Sequence, residues 1–294
     1  MTVYSINDLE KITGIKAHTI RIWEKRYEVV HPKRTATNIR YYEDQDLKKL
    51  LNISTLNRHG IKISQVIGMS PREVSEKIME ISGHATDYES QINSLILAMM
   101  ELHEEQFDKV LSSATLKLGF EKTVLHILYP FLEKIGILWQ VGTINPAQEH
   151  FVSALIRQKL IIAIDGQGYA SRPGHKTFVL FLPENEWHEL GLLFYNYLIR
   201  KNGHKVIYLG QSVPVNDLRE VVRLCGADFL LTYFISALPP KELPDYLDHL
   251  SSTFAQQTIL VTGTQIQNLD QELPDNISRI KNAINFKEAL SDIS

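Results

Sequence analysis

Phe181-Leu182-Pro183-Glu184-Asn185-Glu186-Trp187-His188-Glu189-Leu190-Gly191 sets an imidazole between the apolar run Phe178–Leu182 and a helix-like stretch. The run has the length and composition of a buried strand. His188 is therefore expected at the carboxyl end of a strand, the edge at which open α/β sheets hold their ligands. Gly191, with no side chain, lets a large ligand approach the backbone. Glu186 is placed to orient the ring and raise its basicity, as carboxylates do behind metal-bound histidines.

Downstream the pattern repeats. Apolar runs fall at Val206–Leu209, Phe229–Phe234 and Ile259–Val261, with a weaker one near Ile277–Ile280. Helical stretches fall at about 188–202, 215–224, 240–252 and 286–292. Such alternation predicts a doubly wound parallel α/β domain with right-handed crossovers, over residues 173–294. Thr232 and Phe234 end the third run and Gly263-Thr264 follow the fourth, which puts all four on the carboxyl edge with His188.

Upstream, residues 85–172 lack strand-like alternation. Helical stretches at about 87–103, 105–118, 121–141 and 146–163, with short connections, predict an antiparallel four-helix bundle. Pro146 suits a first helical turn. Nine residues separate Trp139, late in the third helix, from Glu149-His150, early in the fourth. That spacing is expected to gather an indole, a carboxylate and an imidazole at one end of the bundle.

Residues 1–75 carry 13 Lys+Arg against 8 Asp+Glu, a net of +5, while the remainder of the chain has a net of −8. A basic first unit on an acidic body points to one polyanion-binding domain. Ser5 and Asp8 have the spacing of a capping box. They open a helix bearing Ile6, Leu9 and Ile12, and Gly14 suits its left-handed end. A second helix runs from about Ala17 to Tyr27, and two short helices with a glycine turn make a helix-turn-helix. The second would enter the major groove. Pro32 stops helix continuation, and Arg34 and Arg40 bracket a polar turn suited to a backbone-gripping β-hairpin wing. A further helix from Asp44 to about His59 presents Leu47, Leu50, Leu51 and Leu56.

The chain has 294 residues, 44% of them hydrophobic, enough for two or three domains with real cores. No apolar run approaches the roughly 20 residues of a membrane span, and no leader pattern opens the chain, so a cytoplasmic protein without membrane association is expected. One cysteine, Cys225, excludes an intramolecular disulfide framework and a cysteine-rich zinc site. There is no P-loop, and no strand is followed by a dinucleotide-binding glycine fingerprint.

Three groups of residues carry resemblances. Tyr4-Ser5-Ile6, Thr19 through Tyr27 and Arg34…Asn38-Ile39-Arg40-Tyr41-Tyr42 resemble the winged helix-turn-helix of MerR-type transcription regulators. The likeness implies that Thr19, Arg21, Arg26, Arg34, Arg40 and Tyr41 contact DNA, with Trp23 and Tyr42 in the core. Glu186-x-His188-x-x-Gly191, Thr232-Tyr233-Phe234 and Gly263-Thr264 resemble the three-part signature of cobalamin-binding domains. Trp139 and Glu149-His150 resemble the helical cap over the corrin. The order of the three units is similar to that of the CarH/CarA-like repressors, MerR-type regulators with a C-terminal cobalamin-binding domain.

That resemblance implies a non-enzymatic, corrinoid-controlled repressor that assembles as a homo-oligomer (dimer or tetramer) on a double-stranded DNA operator. The corrinoid, adenosylcobalamin by the same likeness, would lie between the cap and the α/β domain. His188 would ligate cobalt, Glu186 would support it, and Gly191 would admit the nucleotide tail. Thr232, Phe234, Gly263 and Thr264 would line that tail, and Trp139, Glu149 and His150 would cover the upper axial group. The departures are Thr232 for serine, Phe234 for leucine, Thr264 for a second glycine and Gln140 after Trp139. They leave open a regulator whose last domain is a cobalamin-free interaction module, able to receive an antirepressor protein. A corrinoid carrier subunit of a methyltransferase is a third reading, which the DNA-binding unit opposes.

Overall fold

A computed structural model describes residues 3–82, 87–140, 144–168, 174–236, 238–239 and 241–293. The stretch around Gly83-His84, where the sequence leaves its first helical unit, and the expected boundary near 172 lie outside the described residues. The chain divides into two compact units, Met1–Leu155 and Ile156–Ser294.

The first unit opens with β1 (Val3–Tyr4), α1 (Ile6–Thr13) and α2 (Ala17–Tyr27). The capping box forms: Asp8 N donates to Ser5 Oγ at 3.2 Å and Ser5 N donates to Asp8 Oδ2 at 2.8 Å. Gly14 ends α1 at φ 73°, the left-handed conformation expected of it. A hairpin of β2 (Lys33–Arg34) and β3 (Arg40–Glu43) makes the wing. β1 adds a third antiparallel strand through Tyr4 opposite Tyr42. α3 (Asp44–Arg58) buries Leu47, Leu50, Leu51 and Leu56, and Ser54 Oγ donates to the Thr13 carbonyl at 2.8 Å, tying α3 to α1. α4 (Ile63–Val66) and α5 (Pro71–Ser82) follow, and α5 packs on α3.

The helical part comprises α6 (Tyr88–Met100), α7 (Glu104–Leu118), α8 (Phe120–Thr123), α9 (Tyr129–Gln140) and α10 (Pro146–Asp165). A π-helical turn, Val124–Leu128, joins α8 to α9, with Tyr129 N donating to the Val124 carbonyl. The sequence had suggested one uninterrupted helix there. The wider turn lays the His126 ring flat on Tyr88, centroids 5.0 Å apart. Phe107 and Phe131 meet edge-on at 5.7 Å in the core of these helices. Within this unit α3 and α6 are in contact: Lys48 pairs with Glu101 at 3.0 Å, Arg58 with Glu89 at 3.6 Å and His59 with Asp87.

The second unit is built on β4 (Thr177–Pro183), α11 (Leu190–Lys201), β5 (Lys205–Val213), α12 (Val215–Cys225), β6 (Phe229–Tyr233), α13 (Leu243–Thr253), β7 (Thr258–Thr262), α14 (Thr264–Gln267), β8 (Ile277–Arg279) and α15 (Ala283–Asp292). All five strands are parallel, in the order β5-β4-β6-β7-β8. Strand residues alternate between faces. Val179, Phe181, Leu230, Phe234, Ile259 and Val261 pack with Leu218, Leu243 and Leu247 of α12 and α13. The intervening residues face α11 and α15. The β4–β5 register shifts beyond Leu180, where Gly210 and Ser212 take positive φ. This bends the end of β5 toward the loop that carries His188.

Among the described residues, no helix is long and apolar enough to cross a membrane.

Candidate functional site

Two places collect the residues singled out in the sequence. In the first unit, Thr19, Arg21 and Arg26 lie on α2, while Arg34, Arg40 and Tyr41 lie on the wing. The four arginines are exposed and Thr19 and Tyr41 are half-buried. Tyr42 is fully buried and Trp23 partly so. Glu24, which carries no signal of its own in the sequence, joins the two elements. Its carboxylate meets Arg40 Nε at 3.3 Å and accepts from the Tyr42 hydroxyl at 3.3 Å. Burial, with the Glu24 charge beside it, pushes the Tyr42 phenol up to about 12, so it stays a proton donor. Arg34 is steadied by Asn38 Oδ1 at 2.6 Å across the tip of the wing. Ile22 and Ile39 are 54% and 64% exposed on the same two elements.

In the second unit the Glu186 carboxylate is entirely buried. Oε1 accepts from the amides of Trp187 and His188 at 3.1 and 3.2 Å and contacts His188 Nδ1 at 2.5 Å. Oε2 accepts from the Ile235 and Ser236 amides, both at 2.8 Å. One side chain thus ties the loop after β4 to the loop after β6. Burial alone would raise the Glu186 pKa, but the His188 bond and the Ser236 and Ile235 amides outweigh it and hold the carboxyl down at about 2. The end of β5 clasps the same loop from its other side. Asn185 N donates to Ser212 Oγ at 3.1 Å, Ser212 N to the Glu186 carbonyl at 3.2 Å and Gln211 Nε2 to the Trp187 carbonyl at 2.8 Å. Gly210-Gln211-Ser212 is too short a motif to stand out in sequence, and Ser236 carried no signal there.

The His188 side chain is 56% exposed. With Nδ1 held by Glu186, Nε2 points away from the carboxylate, the arrangement of a histidine oriented for a metal. Glu189, next in the chain, is bound by Arg157 at 2.6 Å and by the Tyr208 hydroxyl at 3.0 Å, which fixes the start of α11. Among the described residues, no cluster of three or more His, Cys, Asp or Glu side chains is arranged to hold a metal ion.

The remaining expected contacts divide. Gly263 takes φ 104°, and a Cβ there would lie 2.1 Å from the Phe234 carbonyl oxygen, so the ends of β6 and β7 approach as only glycine permits. Thr264 is exposed and opens α14. Thr232 and Phe234 lie on the opposite face of the sheet from Gly191. Phe234 packs into the α12–α13 face, edge-on to Tyr246 at 5.8 Å, and strand alternation puts Thr232 on that face too. Gly191 is on α11, across the sheet. The β6 residue that meets it is Tyr233, whose ring lies 2.7 Å from where a Gly191 Cβ would be. The space expected beside Gly191 for a ligand tail is filled by this phenol. Thr232 Oγ1 is buried and has no hydrogen-bond partner.

In the first unit, Trp139 lies at the end of α9 with 53% of its surface exposed. Glu149 and His150 pair at 3.1 Å in the first turns of α10, and Ser153 Oγ donates to Glu149 at 2.6 Å. The connection 141–145 is short, so Trp139 and this pair share one end of the bundle. Residues 141–143 and the side chain of Gln140 lie outside the described residues.

Residues 4–73 match the MerR HTH family regulatory protein family, and residues 91–163 match the B12 binding domain family. The chain is 29% identical over 253 residues to the HTH-type transcriptional repressor CarH of Myxococcus xanthus, covering 84% of each. It is 26% identical over 260 residues to the HTH-type transcriptional repressor CarA of the same organism, covering 88% of this chain and 85% of that one. The solved monomethylamine corrinoid protein of Methanosarcina barkeri superposes with a TM-score of 0.52 at 13% identity, over 67% of this chain and 95% of that chain, a likeness of fold alone.

Proposed function

For a chain that joins a MerR-type helix-turn-helix domain to a B12-binding helical domain and an open parallel sheet, we propose the function of a DNA-binding transcriptional repressor controlled by a corrinoid. The observation that carries the ligand half is the Glu186–His188 pair at the carboxyl edge of the sheet. A lone histidine, oriented by a buried carboxylate, suits a metal that arrives already held by a macrocycle. A bound corrinoid would supply the cobalt. His188 would hold it through the ring nitrogen that Glu186 leaves outward, since Glu186 contacts Nδ1. Trp139, Glu149 and His150 offer an exposed indole and polar groups that would cover the upper group of such a ligand, an adenosyl group in adenosylcobalamin.

Control follows from linkage. A single winged module buries only roughly 600–1,000 Å² on DNA, so tight binding needs several copies acting together. A corrinoid that binds the assembling form better than the monomer shifts the equilibrium toward a dimer or tetramer by that difference in affinity. Thr19, Arg21 and Arg26 then read or brace the major groove while Arg34, Arg40 and Tyr41 hold the backbone. No catalytic step is required of any residue.

The test is direct. The purified full chain is incubated with adenosylcobalamin or adenosylcobinamide, passed through gel filtration, and its spectrum is recorded. Retained corrinoid is expected in the wild type and at least about tenfold less in His188→Ala, in line with lost ligand support. Equal retention in the variant would sink the assignment of His188. For the DNA half, Arg34→Ala is expected to weaken binding to selected and random duplexes alike. The slope of log affinity against log salt should fall by about 1. An unchanged slope would remove Arg34 from the phosphate contacts.

A cobalamin-free interaction module is the second reading, and Tyr233 filling the space beside Gly191 favours it. Absence of any retained corrinoid, together with a stable oligomer that binds DNA fully, would select it.

A further inference from the structure

We propose that Tyr233 is a specificity-determining residue that selects corrinoids lacking the lower nucleotide. The proposal rests on the corrinoid reading above and concerns which member of the class the sheet edge accepts. A corrinoid coordinated by His188 presents its lower face to the sheet. In a complete cobalamin that same face carries a long nucleotide arm. The way down beside His188 that lacks a side chain on the helix is at Gly191, between the first turn of α11 and β6, and on this proposal the arm would take it. Gly191 is the position in that turn where the helix gives up its side chain. The opposing wall does not leave the space open, because the Tyr233 ring comes within 2.7 Å of the Gly191 Cβ position.

The ring is backed from behind. Tyr233 lies 6.1 Å from Tyr195, and Tyr195 meets Phe286 of α15 edge-on at 5.1 Å. Tyr195 and Phe286 are both nearly inaccessible, at 3% exposure. Tyr233 therefore cannot retreat toward α15 without repacking a close-packed core, which resists added volume. The Glu186 charge is felt at the Tyr233 phenol, but the hydrogen bonds that hold the upper part of the site do not involve it. Glu186 and His188 are positioned by the loops after β4, β5 and β6, and Tyr233 contributes no hydrogen bond to them. A corrinoid that ends at its ring and amide side chains meets His188 with nothing to insert.

The disagreement between a well-built metal-facing histidine and a filled tail slot thus yields a preference for cobinamide-type ligands. Tyr233→Ser empties the slot, Tyr233→Leu empties it partly while keeping an apolar filling, and Tyr233→Phe keeps it filled. Affinities of the full chain for adenosylcobinamide and adenosylcobalamin, which share their upper group, are measured by equilibrium dialysis with absorbance detection. The wild type is expected to bind adenosylcobinamide more tightly. Relative to the wild type, Tyr233→Ser is expected to improve the adenosylcobalamin-to-adenosylcobinamide affinity ratio at least about tenfold, Tyr233→Leu in the same direction, and Tyr233→Phe not at all. The change in ratio isolates Tyr233, since displacing the nucleotide base from cobalt costs the same in every variant. If both ligands bind and the ratio is the same in wild type, Tyr233→Ser and Tyr233→Leu, the selectivity role is overturned while the corrinoid reading stands. If neither ligand binds the wild type or any variant, both are overturned together.

Discussion

Gly263→Ala is expected to destabilise the α/β unit by about 3 kcal/mol, combining roughly 1–3 kcal/mol of backbone strain with a similar cost of overpacking. The added methyl would lie 2.1 Å from the Phe234 carbonyl oxygen and 2.7 Å from both the carbonyl carbon and the nitrogen of Phe234. All three are main-chain atoms of the adjoining strand end, so no rotamer change gives relief. The φ of 104° is also one that a side-chain-bearing residue rarely adopts. The close approach is pinned on either side. Phe234 N donates to the Thr262 carbonyl at 2.9 Å and Gln265 N to the Phe234 carbonyl at 3.2 Å. Calorimetry should show the transition of residues 156–294 falling by roughly 10 °C, given a few degrees per kcal/mol for a unit of this size. An unchanged transition would mean that β6 and β7 separate at this edge without cost. At Gly191 a methyl meets the Tyr233 ring rather than main chain.

Glu186→Gln is expected to cost on the order of 3 kcal/mol at pH 7 and to reduce corrinoid retention about 10–100-fold. The amide keeps the shape but puts an NH2 where two oxygens had accepted every bond, and at least one buried donor is left facing another. The pH dependence follows from the depressed pKa. Glu186 titrates near 4.5 when unperturbed and at about 2 in the folded chain. Its stabilisation is fully present above pH 4.5 and is lost as pH falls from there toward 2. Urea unfolding of wild type and variant should therefore differ most at neutral pH and converge near pH 2–3. A difference that persists undiminished at pH 2 would show that the buried charge is not what stabilises the loop.

The sequence was most legible where local chemistry decides conformation. The Ser5–Asp8 box, the Gly14 turn, the leucine stripe of α3 and the five apolar runs of the sheet each have a short-range cause, and each is present in the structure. The elements it missed lack such a signal. β1 is two residues long, too short for any period, and forms because Tyr4 pairs with Tyr42 far along the chain. The π turn at Val124–Leu128 adds a residue without changing the apolar pattern. α5 has no sequence signal of comparable strength. The face that each residue of Thr232-Tyr233-Phe234 takes is a different matter, because the likeness to the three-part signature pairs Thr232 with the serine position. In a strand, a one-residue offset moves every side chain to the opposite face. The structure gives the place beside Gly191 to Tyr233, and only the packing of α11 on β6 could reveal it. Glu186 and His188 were legible because their contact spans two residues. The amides of Ile235 and Ser236, about fifty residues away, were not.

The ion pairs Lys48–Glu101, Arg58–Glu89 and His59–Asp87 clamp α3 to the helical layer within Met1–Leu155. The helix-turn-helix is therefore joined to the helical layer by packed contacts between α3 and α6 as well as by the connecting chain. If the chain assembles as proposed above, the gap between two such helix-turn-helix units would be set by how the copies meet. Half-sites a whole number of duplex turns apart, roughly 10–10.5 bp each, present the same groove face to both readers. Adding five base pairs would turn one half-site to the far side of the DNA, so operator affinity of the proposed oligomer is expected to fall with such an insertion.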